Sequence, residues 1–209
     1  KADPTVELRY GPNIKDWPKM YPMQDNMLLE LAAVIHDPVT TTDELIPSGE
    51  TSSYRSNPLK LSEFALSRRV PEYVGISKRI QAEDLERRAG KAPQHVLDAL
   101  AKVGAKPEDT SFGSCVFANK PGDGSAREQA ASCQRVLGAG ANIAVEYATK
   151  RYRSNLLNWG MLPLQLVGAT PFGLGDYVFI PNVREALKGD LQDIKAYVLG
   201  DTAKEFSLY

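Results

Sequence analysis

Near the middle of the chain, Gly122-Asp123-Gly124-Ser125-Ala126-Arg127-Glu128-Gln129-Ala130-Ala131 sets a hydroxyl, a guanidinium and a carboxylate directly after two glycines. The run before it, Ser111 to Ala118, reads as a buried strand around Cys115, Val116 and Phe117, and the Ala-rich segment after it has helical spacing. A strand, a glycine turn and a helix start make a site for an anion. The first N–H groups of a helix have no partner within it, and the helix dipole puts partial positive charge there, which favours a carboxylate or phosphate. Arg127 adds a planar fork that can hold a carboxylate by two hydrogen bonds. The same spacing has a second meaning: Ser125 and Glu128 form the Ser-x-x-Glu pattern of a capping box, in which the two side chains satisfy orphan amides themselves. Spacing alone leaves both open.

No other residues in the chain rival this stretch. Cys115 and Cys133 are the only cysteines, and their separation matches neither a metal-ligand pattern nor a disulfide framework. Cys133 shares a helical face with Ala126, Ala130 and Leu137, which predicts a packing role. His36 and His95 lie far from each other and from any cysteine pair, so no metal site is expected on this chain. Gly122-x-Gly124-x-x-Arg127 lacks the third glycine of the dinucleotide fingerprint, which leaves a nucleotide site the weaker alternative.

Positioning these residues takes a core, and 209 residues at 43% hydrophobic can bury one. The net charge of −1 gives no general attraction to nucleic acid or anionic membrane, so anion binding has to be local. No apolar run approaches the roughly 20 residues that cross a bilayer, and Lys-Ala-Asp-Pro at the N-terminus lacks the apolar core of a signal peptide. The expectation is a cytoplasmic protein without nucleic-acid or membrane partners.

In chain order, residues 1–26 are Pro-rich and aromatic and read as an extended lead-in arm; residues 27–209 read as a single domain. Met27 to Ile35 is a continuous apolar run expected as a buried strand, and Pro38 to Ser56 is expected as a long loop. Asn57-Pro58 should start a helix running to Arg69, and Glu72 to Ala89 and Ala92 to Val103 two more. The charges from Lys78 to Arg88 are expected to form a solvated face. Strands are expected at Asn142 to Tyr147, Leu162 to Leu166, Tyr177 to Ile180 and Ile194 to Leu199, with a helix from Lys150 to Trp159. This alternation predicts an α/β fold in which a barrel-like sheet is covered by helices.

With the elements in place, three blocks resemble the aconitase superfamily. Gly124 to Ala131, followed by Arg135 and Gly138, is similar to the Gly-Ser-Ser-Arg-Glu-His-Ala-Ala signature of that family's swivel domain. Asn155-Leu156-Leu157-Asn158-Trp159-Gly160-Met161-Leu162-Pro163 is similar to its Asn-Leu-x-x-x-Gly-Leu-Leu-Pro. Thr41-Thr42-Asp43, with Pro47 to Gly49 and Arg55, resembles its Thr-Thr-Asp-His-Ile-x-x-x-Gly element and following arginine. The blocks come in the right order across about residues 40 to 166, and a capping box alone predicts neither flanking block.

The resemblance implies a swivelling β/β/α domain and reversible dehydration and hydration of a hydroxy di- or tricarboxylic acid, with a [4Fe–4S] cluster as Lewis acid. It implies that the cluster is bound by other domains or by a large subunit, not by this chain. The chain is thus expected to be one excised domain or a small subunit, inactive alone. By the same resemblance Ser125 is the catalytic base, Arg127 and Arg55 bind substrate carboxylate, and Asp43, Gly124 and Ala126 support the loop. Two departures stand out: Ala126 replaces the family's second serine, and Glu44 replaces the histidine after Thr-Thr-Asp. Both put the identity of the substrate in question more than the reaction. A non-catalytic carboxylate-binding module of the same fold is the alternative.

Overall fold

The computed structural model describes residues 1–209. No helix or strand precedes Asn26, and the rest builds one curled sheet wrapped by helices. Its strands in chain order are β1 (Asn26–Ile35), the two-residue β2 (Thr40–Thr41), β3 (Thr110–Ala118), β4 (Pro121–Asp123), β5 (Ala139–Ala144), β6 (Leu162–Gln165), β7 (Tyr177–Ile180), β8 (Ile194–Leu199) and β9 (Ala203–Leu208). The helices are α1 (Thr42–Leu45), α2 (Pro58–Ser62), α3 (Tyr73–Arg88), α4 (Gln94–Ala101), α5 (Arg127–Val136), α6 (Lys150–Asn158) and α7 (Val183–Ala186). No helix is long and apolar enough to cross a membrane.

The main sheet runs β6-β5-β3-β1-β7-β8-β9, with β1, β3, β5 and β6 parallel and β7, β8 and β9 antiparallel. Its two edges meet. Gln165 and Tyr209 exchange backbone hydrogen bonds of 2.9 and 3.0 Å, and Leu166 pairs with Leu208. A sheet closed this way leaves no long unpaired edge, and its central strands β1, β3 and β5 are buried on both faces.

That burial explains the unbroken apolar run of β1. Met27, Leu29 and Leu31 point into the barrel with Cys115, Phe117 and Ile143, whereas Leu28 and Ala32 face the helices. A register shift between Leu31 and Ala33 re-aims the end of the strand, so that Ile35 joins the helix-side core. Cys133 packs in that outer layer, as its helical spacing predicts, and Cys115 lies inside the barrel. Burial pushes the Cys133 thiol up to about 12 and Cys115 higher still. Neither thiol should react with iodoacetamide at pH 8 in the native protein, and both should be labelled in urea; rapid native labelling of either would contradict this packing.

Four expectations need correction. The helix from Asn57 stops at Ser62 instead of Arg69, because Leu66 takes a left-handed backbone (φ 54°) while its N–H donates to the Leu45 carbonyl. The segment from Pro38 to Ser56 contains β2, α1 and a 3-10 turn at Ser52–Tyr54, not one open loop. The charged face of α3 is partly interior: the Arg87 guanidinium donates to Asp84 Oδ1 from Nε (2.9 Å) and Nη2 (2.7 Å), and both residues are buried. The same carboxylate accepts the Phe112 N–H at 3.2 Å, which ties α3 to the start of β3. Strand β5 also begins and ends three residues earlier than the pattern from Asn142 to Tyr147 suggests.

Candidate functional site

The loops after β1 and β3 emerge at the same end of the sheet because these two strands are parallel neighbours. There they are stitched together. β2 pairs in parallel with β4, Thr40 opposite Pro121 and Thr41 opposite Asp123, so the Thr-Thr-Asp element and the glycine turn form one unit. The two glycines make the approach possible. A Cβ on Gly122 (φ 98°) would lie 2.4 Å from the Tyr152 ring, and one on Gly124 (φ 131°) would meet Thr42 Oγ1 at 2.2 Å.

Ser125 follows as an exposed residue with no hydrogen-bond partner for its hydroxyl, and α5 starts at Arg127 with Ala126 as N-cap. No side chain caps that helix, which closes the alternative left open by the sequence: Ser125 and Glu128 do not form a capping box. Glu128 turns across the cleft instead. Its carboxylate accepts the Trp159 Nε1–H at 2.6 Å and a short bond from Asn155 Nδ2, joining the second and third blocks of the resemblance. A capping box does occur one loop away, where the Glu44 N–H donates to Thr41 Oγ1 (3.2 Å) and the Thr41 N–H to Glu44 Oε2 (2.7 Å). Glu44, the departure from the family's histidine, therefore has a structural task in starting α1.

The first amides of α5 open into a cleft of about 420 Å³. Ser125, Arg127 and Glu128 line one side, and Lys150, Arg151, Ser154 and Asn155 of α6 line the other. Arg127 donates to the Gly124 carbonyl, which folds its guanidinium over the turn and leaves its remaining N–H groups without a protein partner. None of Arg127, Lys150 and Arg151 makes an ion pair with any carboxylate of the chain. Three cations and an uncapped helix start face one carboxylate that is already engaged, an arrangement that attracts a multiply charged anion.

A buried polar cluster holds the floor. Tyr152, fully buried in α6, receives hydrogen bonds from Gln134 Nε2 (2.9 Å) and Asn142 Nδ2 (2.8 Å), linking α5, α6 and β5. Burial raises its pKa, so the phenol stays neutral. Tyr147 donates to the Leu164 carbonyl at 2.9 Å and reaches the Asn142 carbonyl at 3.1 Å.

The remaining expected residues lie apart from this cleft. Asp43 pairs with Arg68 Nη1 at 2.9 Å on the surface, and the side chain of its element that touches the serine turn is Thr42. Arg55 is exposed on the turn after Ser52–Tyr54, makes no ion pair and does not line the cleft. Sequence reasoning overlooked Lys150, Arg151 and Ser154. Their signal is the i,i+4 spacing of Lys150 with Ser154 and of Arg151 with Asn155, which places both pairs toward one side of α6.

These residues do not fit an iron–sulfur cluster. The two thiols lie on opposite faces of the sheet, both buried, and no group of three or more His, Cys, Asp or Glu side chains is arranged to hold a metal ion.

Comparison with known proteins agrees with the geometry. Residues 114–168, which carry the second half of β3, the serine turn, α5 and α6, match the family model described as the aconitase C-terminal domain. The crystal structure of 3-isopropylmalate dehydratase (leuD) from Methanocaldococcus jannaschii DSM2661 superposes with a TM-score of 0.52, covering 85% of this chain and 79% of that one at 17% identity. At that identity the likeness speaks for the fold, which is of the aconitase swivel type. No curated protein matches the chain.

Proposed function

We propose that this aconitase-type swivel domain serves a hydro-lyase that reversibly dehydrates a hydroxy di- or tricarboxylic acid. The observation that carries the reading is the cleft itself: an unpartnered Ser125 hydroxyl beside an uncapped helix start and three unpaired cations. Ser125 takes the proton alpha to a substrate carboxylate. A hydroxyl is too weak an acid to do so unaided near neutral pH, and the α5 amides with the Arg127 guanidinium favour the charged oxygen, more strongly once the cleft is closed to water. Arg127 binds the substrate carboxylate, with charge from Lys150 and Arg151 across the cleft. Arg55 and Asp43 keep their assignments, as a second carboxylate contact and as support for the turn, on the resemblance alone, and Gly124 and Ala126 shape the turn itself.

In this reading the partner is a cluster-bearing set of domains or a large subunit, whose [4Fe–4S] cluster would act as Lewis acid toward the leaving hydroxyl. Exposed apolar side chains on residues 1–26, with Val6, Leu8 and Trp17 each more than half exposed, support a neighbour there. With that partner present, incubating candidate hydroxy-carboxylates in deuterium oxide should place deuterium at the carbon alpha to the carboxylate, read by proton NMR. Tight carboxylate binding without exchange in the cluster-loaded assembly would favour the alternative, a binding module that has lost its chemistry.

A further inference from the structure

The molecule has a second concavity at the opposite end of the sheet. Residues Pro18 to Met23 cross the starting ends of β1, β3 and β5, and between them and the body lies a cavity of about 340 Å³. Ser125 follows the finishing ends of the same strands, and α5 runs back between the two sites, with Arg127 at the first and Arg135 eight residues later at the second, about 12 Å away at roughly 1.5 Å per residue.

The walls combine apolar surface with unbalanced positive charge. Met23, Met27, Leu85 and Phe112 supply the first; Lys19, Arg88 and Arg135 supply the second against one carboxylate, Asp84. Asp84 is already taken by Arg87 and by Arg88 Nε at 2.7 Å. Arg135 meets no carboxylate. Its Nη2 donates to the Tyr21 carbonyl (2.8 Å) and Nη1 to the Ala139 carbonyl (3.1 Å), whereas Nε is buried with no acceptor. Loss of solvation and the Arg88 charge beside it both lower the pKa of Arg135, the mark of a cation lacking a counter-charge. Arg88 stacks 4.2 Å over the Tyr21 ring, with Lys19 Nζ 4.8 Å from the same ring. Tethering the 18–23 segment to the start of β5 accounts for the contacts of Arg135 with the Tyr21 and Ala139 carbonyls. It does not account for the unpartnered Nε, the two further cations or the empty volume.

We propose that this cavity is a second binding site, for a small molecule with one oxyanion head, carboxylate or phosphate, on a flat apolar body. The head sits at Arg135 and Arg88, and the body lies against Met23, Leu85 and Phe112. Because Tyr21 and Met23 belong to the crossing segment, occupancy would fasten that segment to the domain. The proposal is independent of the function assigned to Ser125.

Phenyl phosphate and benzoate, each titrated calorimetrically into the intact protein, test it, with benzyl alcohol as the uncharged control. At least one anion should bind with one-to-one stoichiometry and at least about tenfold more tightly than the alcohol. Arg135→Gln should weaken that binding by about tenfold or more, while Arg127→Gln leaves it within about twofold. Arg88→Gln, which keeps the bond to the Tyr21 carbonyl, repeats the measurement should Arg135→Gln lower the melting temperature. Which anion binds identifies the head group. Binding of neither anion, equal binding of benzyl alcohol, or a loss that follows Arg127 and spares Arg135 and Arg88 would overturn the proposal.

Discussion

Ser125→Ala in the assembled, cluster-loaded enzyme should lower kcat by about 10²- to 10⁴-fold, the usual worth of a positioned general base. The fold should hardly notice. Ser125 is exposed, makes no hydrogen bond and does not cap α5, so its hydroxyl contributes nothing that alanine removes. Surface substitutions of this kind stay within about 0.5 kcal/mol, which for a domain of this size keeps the melting temperature within about 2 °C. KM should change little, because the cations of the cleft remain. Arg127→Gln should behave differently, raising KM and loosening the turn, since its guanidinium also holds the Gly124 carbonyl. Turnover of Ser125→Ala within about tenfold of the wild type would remove Ser125 from the chemistry, and a large fall in melting temperature would mean that the hydroxyl has a structural role the fold does not reveal.

The serine turn is also where sequence and structure part most instructively. Three Ser/Thr-x-x-Glu patterns occur in the chain; Thr202 to Glu205 leads into β9, and of the two that precede helices, Thr41 to Glu44 and Ser125 to Glu128, only the first is a capping box. The difference is the company Glu128 keeps: Asn155 and Trp159 arrive from a helix more than twenty residues away and draw its carboxylate off the helix start. Local spacing carries no information about such a competitor. The strands with both faces buried were legible, because β1 and β3 are short apolar runs bounded by turn residues. β9 was not, since Ala203-Lys-Glu-Phe-Ser-Leu has only two partly or fully buried large apolar residues and its closure onto Leu166 is set by the curl of the whole sheet. Charge on α3 misled for a related reason: Asp84 and Arg87 look like solvated helix residues until β3 and the backbone just before it supply their partners. Lys150 and Arg151 show the converse case. They are ordinary exposed helix cations whose meaning comes from facing Arg127 across the cleft.

The rigidity of that cleft leads to the largest expected stability effect, at Gly122. Gly122→Ala should destabilise the domain by more than about 3 kcal/mol in urea unfolding, from two causes that a control can separate. An alanine at φ 98° carries the left-handed backbone cost, about 1–2 kcal/mol. Its Cβ would also sit 2.4 Å from Cγ and Cδ1 of Tyr152, so the ring must move. Tyr152 has nowhere to go without separating its hydroxyl from Gln134 and Asn142, and each buried donor left unpaired costs about 1–3 kcal/mol. Gly90→Ala isolates the first cause: that residue also has a positive φ, 78°, but nothing lies within 4 Å of the added Cβ. It should lose only the backbone share, about 1–2 kcal/mol. Equal losses at the two positions would show that Tyr152 yields freely and that the floor of the site is not held by its hydrogen bonds. A loss at Gly122 at least twice that at Gly90 would fix Tyr152 as the support that sets the serine turn against α6.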